Sequence, residues 1–395
     1  MAKTGFFLRS GETWRSPWDD YRALRNDSPI LFVPAEGDNV DFWVLSRFAD
    51  VFAAVRDTAT FSSAQGLTPN ADAMSMFEAG QQPIVMMDPP DHTVMRRLVS
   101  RQMTPRRVAR IEHAVREFVD RRLDGVADAG QQPVDIVAAL FKPLPSFVVA
   151  HYLGVPPSDR DRFDGWTDAI VSANAVGAIE TAMDAALALF AYATELMDRK
   201  KVEPGEDLVT DLVESGDDVV SPGWITGFVF TMVTGGNDTM TGMLGGSAEL
   251  LTDHRDERQR LLDDRSLMEN AVEELLRLTS PVQNLARTTT TEVELHGCEV
   301  PAGDKVLLLY GSANRDEREF GASAGDLDVG RAIDRTVSLG YGAHHCLGAS
   351  AARLQGRVTL DRLLERFPFF EVDPAGGRFA PGGFVRRYES LPFTA

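Results

Sequence analysis

The 395 residues, 44% of them hydrophobic, suffice for one large core or for two or three ordinary domains. Acidic residues number 59 against 40 basic ones, a net charge of -19 that on average repels nucleic acid and anionic membrane. Two cysteines, Cys298 and Cys346, lie far apart in unlike settings, which excludes a disulfide framework and suits a reducing compartment.

Near the N-terminus a short Phe6-Phe7-Leu8 patch runs straight into Arg9, Glu12 and Arg15, so neither a leader nor a spanning helix is expected. A cytoplasmic protein without a membrane anchor follows as an expectation. Asp41-Phe42-Trp43-Val44-Leu45 alternates as a strand of a small sheet. From Pro105 the spacing turns helical, with Val108, Ile111, Val115, Phe118 and Leu123 on one face. Further helices are expected at about 158–168 and 179–200.

Pro222 opens a long apolar segment over 224–251, too polar at its centre, Thr234-Gly235-Gly236-Asn237-Asp238-Thr239, to span a membrane. Ser266 and Glu269 predict a capping box for a helix through 271–277 that stops before Pro281. Residues 293–295 and 298–300 around His296-Gly297 read as a tight hairpin, and 305–310 as a third strand. After Gly348 a last amphipathic helix presents Leu354, Val358, Leu360, Leu363 and Leu364, ending near Pro368; no repeat or linker interrupts the chain.

The strongest local signal is Leu339-Gly340-Tyr341-Gly342-Ala343-His344-His345-Cys346-Leu347-Gly348. Gly340 and Gly342 permit positive φ and close backbone approach, so a tight loop can pass beside a flat ring. Cys346, at the start of the next helix, gains N–H donors and the positive end of the helix dipole, which favour thiolate over thiol. Taken alone, a cysteine is a small buried hydrophobe by about ten to one. A zinc fragment at His344-His345-Cys346 is weaker still, since adjacent residues cannot easily share a tetrahedral ion and no CxxC or HxxxH partner exists.

The glycine pattern reverses those odds. The loop resembles the haem-binding signature of the cytochrome P-450 superfamily, Phe-Gly-x-Gly-x-His-x-Cys-x-Gly, with Leu339 where Phe is usual. The resemblance implies a soluble bacterial-type haem-thiolate monooxygenase, with Cys346 binding the iron of haem b. It also implies the fold: one domain over 1–395, mainly α with small β-sheets (α+β), the haem lying between a long central helix and the Cys-loop with its proximal helix. Gly340, Gly342 and Gly348 would shape that loop.

Three constellations support the resemblance. Glu274 and Arg277 share a helix face; alone such a pair is usually a solvated bridge, but the family buries it and adds a downstream arginine, here Arg315 or Arg331. Gly235 and Gly236 in mid-helix cost about 2 kcal/mol against alanine, which suggests a needed distortion where a small molecule could sit, although a kink with an exposed Asp is the blander reading. The run resembles the family's oxygen-activation motif, which implies that Thr239 hydrogen-bonds the oxygen bound at the iron and Asp238 relays protons. Haem propionates need cationic partners. Residues 88–98 resemble the family's propionate-binding helix start, with His92 and Arg96 on one face, and Arg287 and His344 match two further contacts, although such residues more often form a surface face.

No GxGxxG fingerprint, flavin segment or iron–sulfur cysteine cluster occurs, so electrons are expected from a ferredoxin-type donor served by an NAD(P)H-dependent reductase. Arg101, Arg106, Arg107, Arg110 and Arg353 would dock it, a solvated helix face being an equal alternative. Selectivity is expected from Met74, Met76, Phe77 and Val85, from Val229, Met232 and Val233, and from Val282 to Leu285. An apolar pocket suits a lipophilic substrate such as a steroid, terpenoid, fatty acid or polyketide-type compound of secondary metabolism, hydroxylated or epoxidised with O2. Two rivals are a peroxide-driven or non-hydroxylating haem-thiolate enzyme and a non-catalytic haem or small-molecule binding protein; the Asp238/Thr239 acid–alcohol pair weighs against both.

Overall fold

The computed structural model describes residues 5–70, 82–130, 132–176 and 179–395. Trp18–Asp27 (α1) and Phe48–Arg56 (α2) bracket two strands, Ile30–Val33 (β1) and Phe42–Leu45 (β2), the latter matching the alternation at 41–45. Phe61–Ser62 (β3) precedes Asp91–Ser100 (α3) and Glu112–Asp128 (α4). The helical spacing from Pro105 is realised in pieces: a short turn at Pro105–Val108, a 3-10 turn at Ala109–Ile111, then α4. Val108, Ile111, Val115 and Leu123 are buried as their spacing requires, and Phe118 stacks on Phe147.

Pro143–Leu153 (α5), Arg160–Val176 (α6) and Ile179–Val202 (α7) lead to the 32-residue helix Pro222–Asp253 (α8). Its start is well capped: Ser221 Oγ accepts from the N–H of Trp224, and Pro222 occupies the first turn, where its missing N–H costs nothing. Because α5, α6 and α7 pack around it, α8 is apolar on most of its circumference. Its polar side chains bond back one turn: Thr231 to Gly227, Thr234 to Phe230, Asn237 to Val233, Thr239 to Gly235 and Thr241 to Asn237, at 2.6–3.0 Å.

No break in the helix accompanies Gly235-Gly236. These side chains use carbonyls that already serve the helix, and the α-helix runs through unbroken. Gly236 is there for packing instead: a Cβ would lie 2.8 Å from Val149 Cγ2 on α5.

Met268–Thr279 (α9) is followed by Leu285–Thr289 (β4), Val293–Leu295 (β5), Cys298–Val300 (β6), Lys305–Leu308 (β7) and finally Ala349–Arg366 (α10). The Ser266/Glu269 capping box does not form. Asp264, two residues earlier, takes the N–H of Ser266 at 2.9 Å and its hydroxyl at 2.6 Å, making a 3-10 turn ahead of α9. β5 and β6 pair as the expected hairpin, Leu295 opposite Cys298, with His296 and Gly297 at φ 51° and 75°.

β7 leaves that hairpin. It pairs antiparallel with β4 and parallel with β2, giving a five-stranded sheet of order β1-β2-β7-β4-β3, and Tyr310 begins a short helix rather than ending the strand. α10 lies along α4 and buries Leu354, Val358, Leu360, Leu363 and Leu364. Its outer edge is laced to α4 by Arg357–Glu112, Arg362–Asp120 and Arg366–Asp124, pairs that as surface bridges contribute about 0–1 kcal/mol each. Among the described residues no helix is long and apolar enough to cross a membrane.

The Glu274–Arg277 pair is wholly buried, not a solvated bridge. Arg277 donates through Nε and Nη2 to the two carboxylate oxygens at 2.7 and 2.8 Å, and Arg331 Nε adds a third bond at 3.0 Å. Arg331 is thus the third member. Arg315 is not, for it bonds the carbonyls of Leu278 and Gly325 and lies over the Trp18 ring. Removing the carboxylate would leave two guanidiniums facing each other without a counter-charge. Glu274→Ala is expected to lower the unfolding free energy by about 3–5 kcal/mol, read as a lower urea midpoint at unchanged slope.

Candidate functional site

The loop from Leu339 to Gly348 is held by its own backbone. Gly340 N–H donates to Val337 at 3.0 Å, Cys346 N–H to Leu339 at 2.7 Å and His345 N–H to Gly342 at 3.1 Å. Gly340 and Gly342 have φ 66° and 68°, conformations that side chains adopt only under strain. Both also lie close to neighbouring backbone: a Cβ on Gly342 would come within 3.4 Å of the Val55 carbonyl of α2, and one on Gly340 within 3.2 Å of the His344 carbonyl. Leu339 packs against the main core and supplies the carbonyl that fixes Cys346.

Cys346 sits half-buried just ahead of α10, with Gly348 as the helix N-cap. Burial pushes its thiol up, while the Gly348 N–H and the guanidiniums of Arg96 and Arg353 act to hold a negative sulfur. A sulfur so placed is a soft ligand for a metal ion.

Four cationic or ionisable side chains converge nearby from three parts of the chain. His92 and Arg96 come from α3, Arg287 from β4 and His344 from the loop, and the His92 and His344 rings lie 4.3 Å apart. Burial, together with Arg287, His92 and Arg96, drives His344 down to about 3. Neither arginine is paired with a carboxylate among the described residues: Arg287 donates to the Ala286 carbonyl and Arg96 to that of His345. Such a cluster calls for an anion, since buried cations persist only with counter-charge. Two further contacts escaped the sequence: Ser63 Oγ lies 3.3 Å from His344 Nε2, and the backbone of Met87 hydrogen-bonds the same imidazole. Asp88 carries the chain there by accepting from Ser63 N at 2.9 Å and from Ser62 Oγ.

On α8, Gly235 is exposed in the middle of an otherwise packed helix, and a Cβ added there would meet nothing within 4 Å. Thr239, one turn on, donates to the Gly235 carbonyl at 2.8 Å, which brings its hydroxyl to the same open stripe. Asp238 points elsewhere, into a polar crevice with Lys142, Thr167, Asp168, Asn237 and Arg387. Its Oδ1 lies 2.7 Å from Arg387 Nε, and burial lifts its carboxyl to about 6 although Arg387 and Lys142 pull the other way.

The apolar residues expected over the site divide. Met232, Val282 and Leu285 are half-buried and Val85 is exposed. Val229 and Val233 are not available to a ligand, being 2% and 0% exposed within the main core. The reason is rotational, since Val233 stands about 200° around the helix from Gly235. Met74, Met76 and Phe77 lie outside the described residues. Of the arginines expected to dock a partner, Arg101 and Arg106 are exposed and Arg107 half-exposed, whereas Arg110 pairs with Glu206 and Arg353 with Glu273.

Comparison with known proteins gives this geometry a family. The family model for Cytochrome P450 matches residues 247–378. Cytochrome P450 130 of Mycobacterium tuberculosis is 53% identical over 98% of this chain and 97% of its own length. The Vitamin D(3) 25-hydroxylase of Pseudonocardia autotrophica is 34% identical over 91% of this chain and 89% of its own. Among solved structures, Mycobacterium marinum cytochrome P450 CYP268A2 in complex with pseudoionone superposes with a TM-score of 0.88 at 31% identity, covering 97% of this chain and 96% of the other. The free sulfur, the uncompensated cations and the open face of α8 are therefore features of a chain that belongs to the cytochrome P450 family, a haem-thiolate monooxygenase and oxidoreductase.

Proposed function

We propose that this monooxygenase takes two electrons from a ferredoxin-type protein, itself reduced by an NAD(P)H-dependent reductase, and transfers one atom of O2 to a lipophilic small molecule. What supports this reading is the Cys346 sulfur beside four cationic or ionisable groups suited to carboxylates, together with the open stripe at Gly235 and Thr239 on α8. Haem b, when bound, supplies the redox-active iron at which dioxygen is activated.

The chain's own residues do the rest. Cys346 would hold the iron through sulfur, with the Gly348 N–H donating to that sulfur. His92, Arg96, Arg287 and His344 would hold the two propionates, which would bring the cluster its counter-charge. Gly235 leaves room beside α8, and Thr239 presents a hydroxyl proton there. Asp238, with a carboxyl near neutrality, takes protons from the crevice side and passes them toward Thr239. Met232, Val282, Leu285 and Val85 offer apolar contact to substrate, which a steroid, terpenoid, fatty acid or polyketide-type molecule would satisfy. The names of two relatives fit such a guest: one is a vitamin D(3) hydroxylase, and one was solved with pseudoionone.

Cys346→Ser is the direct test. The reduced carbon monoxide complex should lose its thiolate absorption signature, and retention of that signature would reject the sulfur assignment.

Asp238 makes the enzyme pH-dependent. The protonated form that hands on a proton declines as pH rises through about 6. Product formed per NAD(P)H consumed should fall with it, and Asp238→Asn should flatten that limb while slowing turnover about 100-fold.

Charge reversal at Arg106 and Arg107 should slow ferredoxin-supported turnover about tenfold at low ionic strength, with the difference closing as salt screens the encounter.

A further inference from the structure

Arg353 lies seven residues beyond Cys346, on the second turn of α10, and Glu273 of α9 grips it. Its Nε and Nη2 each donate to a different oxygen of the Glu273 carboxylate, the second at 3.0 Å, the fork geometry that fixes a guanidinium in direction as well as position. The pair is only partly shielded, Arg353 being 42% exposed and Glu273 30%. Glu273 takes no part in the buried network of its neighbour Glu274; among the described residues its hydrogen bonds go to Arg353 alone.

Arg96 approaches the same loop from α3, donating to the His345 carbonyl. Arg353 stands on the helix that Cys346 leads into and Arg96 bonds the residue just before the cysteine, so both guanidiniums flank the loop that carries the sulfur. Arg96 has no counter-ion among the described residues, whereas Arg353 has one that reaches it from another helix. The charge felt at the sulfur thus contains one element that a single carboxylate adjusts.

We propose that Glu273 is a positioning residue: by clamping and partly neutralising Arg353 it sets the field at the Cys346 sulfur, and so the ease with which the iron accepts an electron. This rests on the haem-thiolate function above. Reduction adds one electron and one negative charge to the centre, so an uncompensated guanidinium favours it and an uncompensated carboxylate opposes it. Glu273 consequently determines which electron donors are strong enough to reduce the protein.

The test is potentiometric titration of the haem-loaded protein, with the carbon monoxide signature recorded for each variant. Glu273→Gln should raise the ratio of reduced to oxidised protein at fixed potential about tenfold, equivalent to 59 mV for one electron. Arg353→Met should lower it by a similar factor, and the double variant should return toward the parent. Arg353→Lys keeps the charge but loses the two-pronged hold, and should shift the ratio at unchanged net charge. Glu269→Gln, an exposed change on the same helix, should move it less than twofold. Equal shifts in Glu273→Gln and Glu269→Gln, or none in Glu273→Gln and Arg353→Lys with the thiolate signature intact, would overturn the assignment. A parent lacking that signature would instead remove the haem-thiolate function on which it rests.

Discussion

Glu274, buried on α9, holds two guanidiniums at once, and from it a continuous run of hydrogen bonds leads to the loop of Cys346. Arg277 passes from the carboxylate to the Asn314 carbonyl at 2.6 Å. The Asn314 side chain accepts from Val337 N–H at 2.9 Å and donates to Ser338 Oγ at 2.9 Å. Val337 in turn receives Gly340, the first glycine of the loop. Arg331 ties the same carboxylate to the carbonyls of Phe320 and Ser323, so the irregular chain between β7 and the loop is pinned at several points. Desolvating these charges is expensive, and apolar residues of equal volume could stabilise as well. What the ion pair adds is direction: it delivers a particular backbone to a particular place.

The four-residue cluster around His344 follows the opposite logic. Glu274 is over-satisfied, whereas among the described residues Arg287 and Arg96 bond backbone carbonyls only. A protein that buries cations without partners is less stable than its packing would allow, and a ligand bringing two carboxylates recovers that loss by mass action on the folded state. The cofactor's carboxylates would thus give this cluster its counter-charge.

Much of this was legible in the sequence where a short stretch determines its own geometry. The positive φ of Gly340 and Gly342, the His296-Gly297 turn and the full extent of α8 are local matters. Relations between distant segments were not. Nothing in the chain distinguishes Arg331 from Arg315 as the partner of Glu274, because both arrive from irregular backbone. Arg387, which pairs with Asp238, comes from the C-terminal strands and carries no signature. On α8 the periodicity that betrays an amphipathic face is missing, since neighbours surround the helix; hence Val229 and Val233 could not be told from Met232, which borders the open stripe. The same enclosure hid the reason for Gly236, which lies in the bulk of Val149.

The parallel pairing of β2 with β7 sets Phe42 beside Lys305 and Leu45 beside Leu308. During synthesis the early strands therefore leave the ribosome long before the strand that joins them. At about 5–20 residues per second, the interval is roughly 13–50 seconds. Through that time the apolar faces of β1 and β2 have each other, α1, α2 and the preceding Phe6 and Leu8 for cover. The five-stranded sheet can therefore be completed only once the strand at Lys305–Leu308 has emerged, late in synthesis.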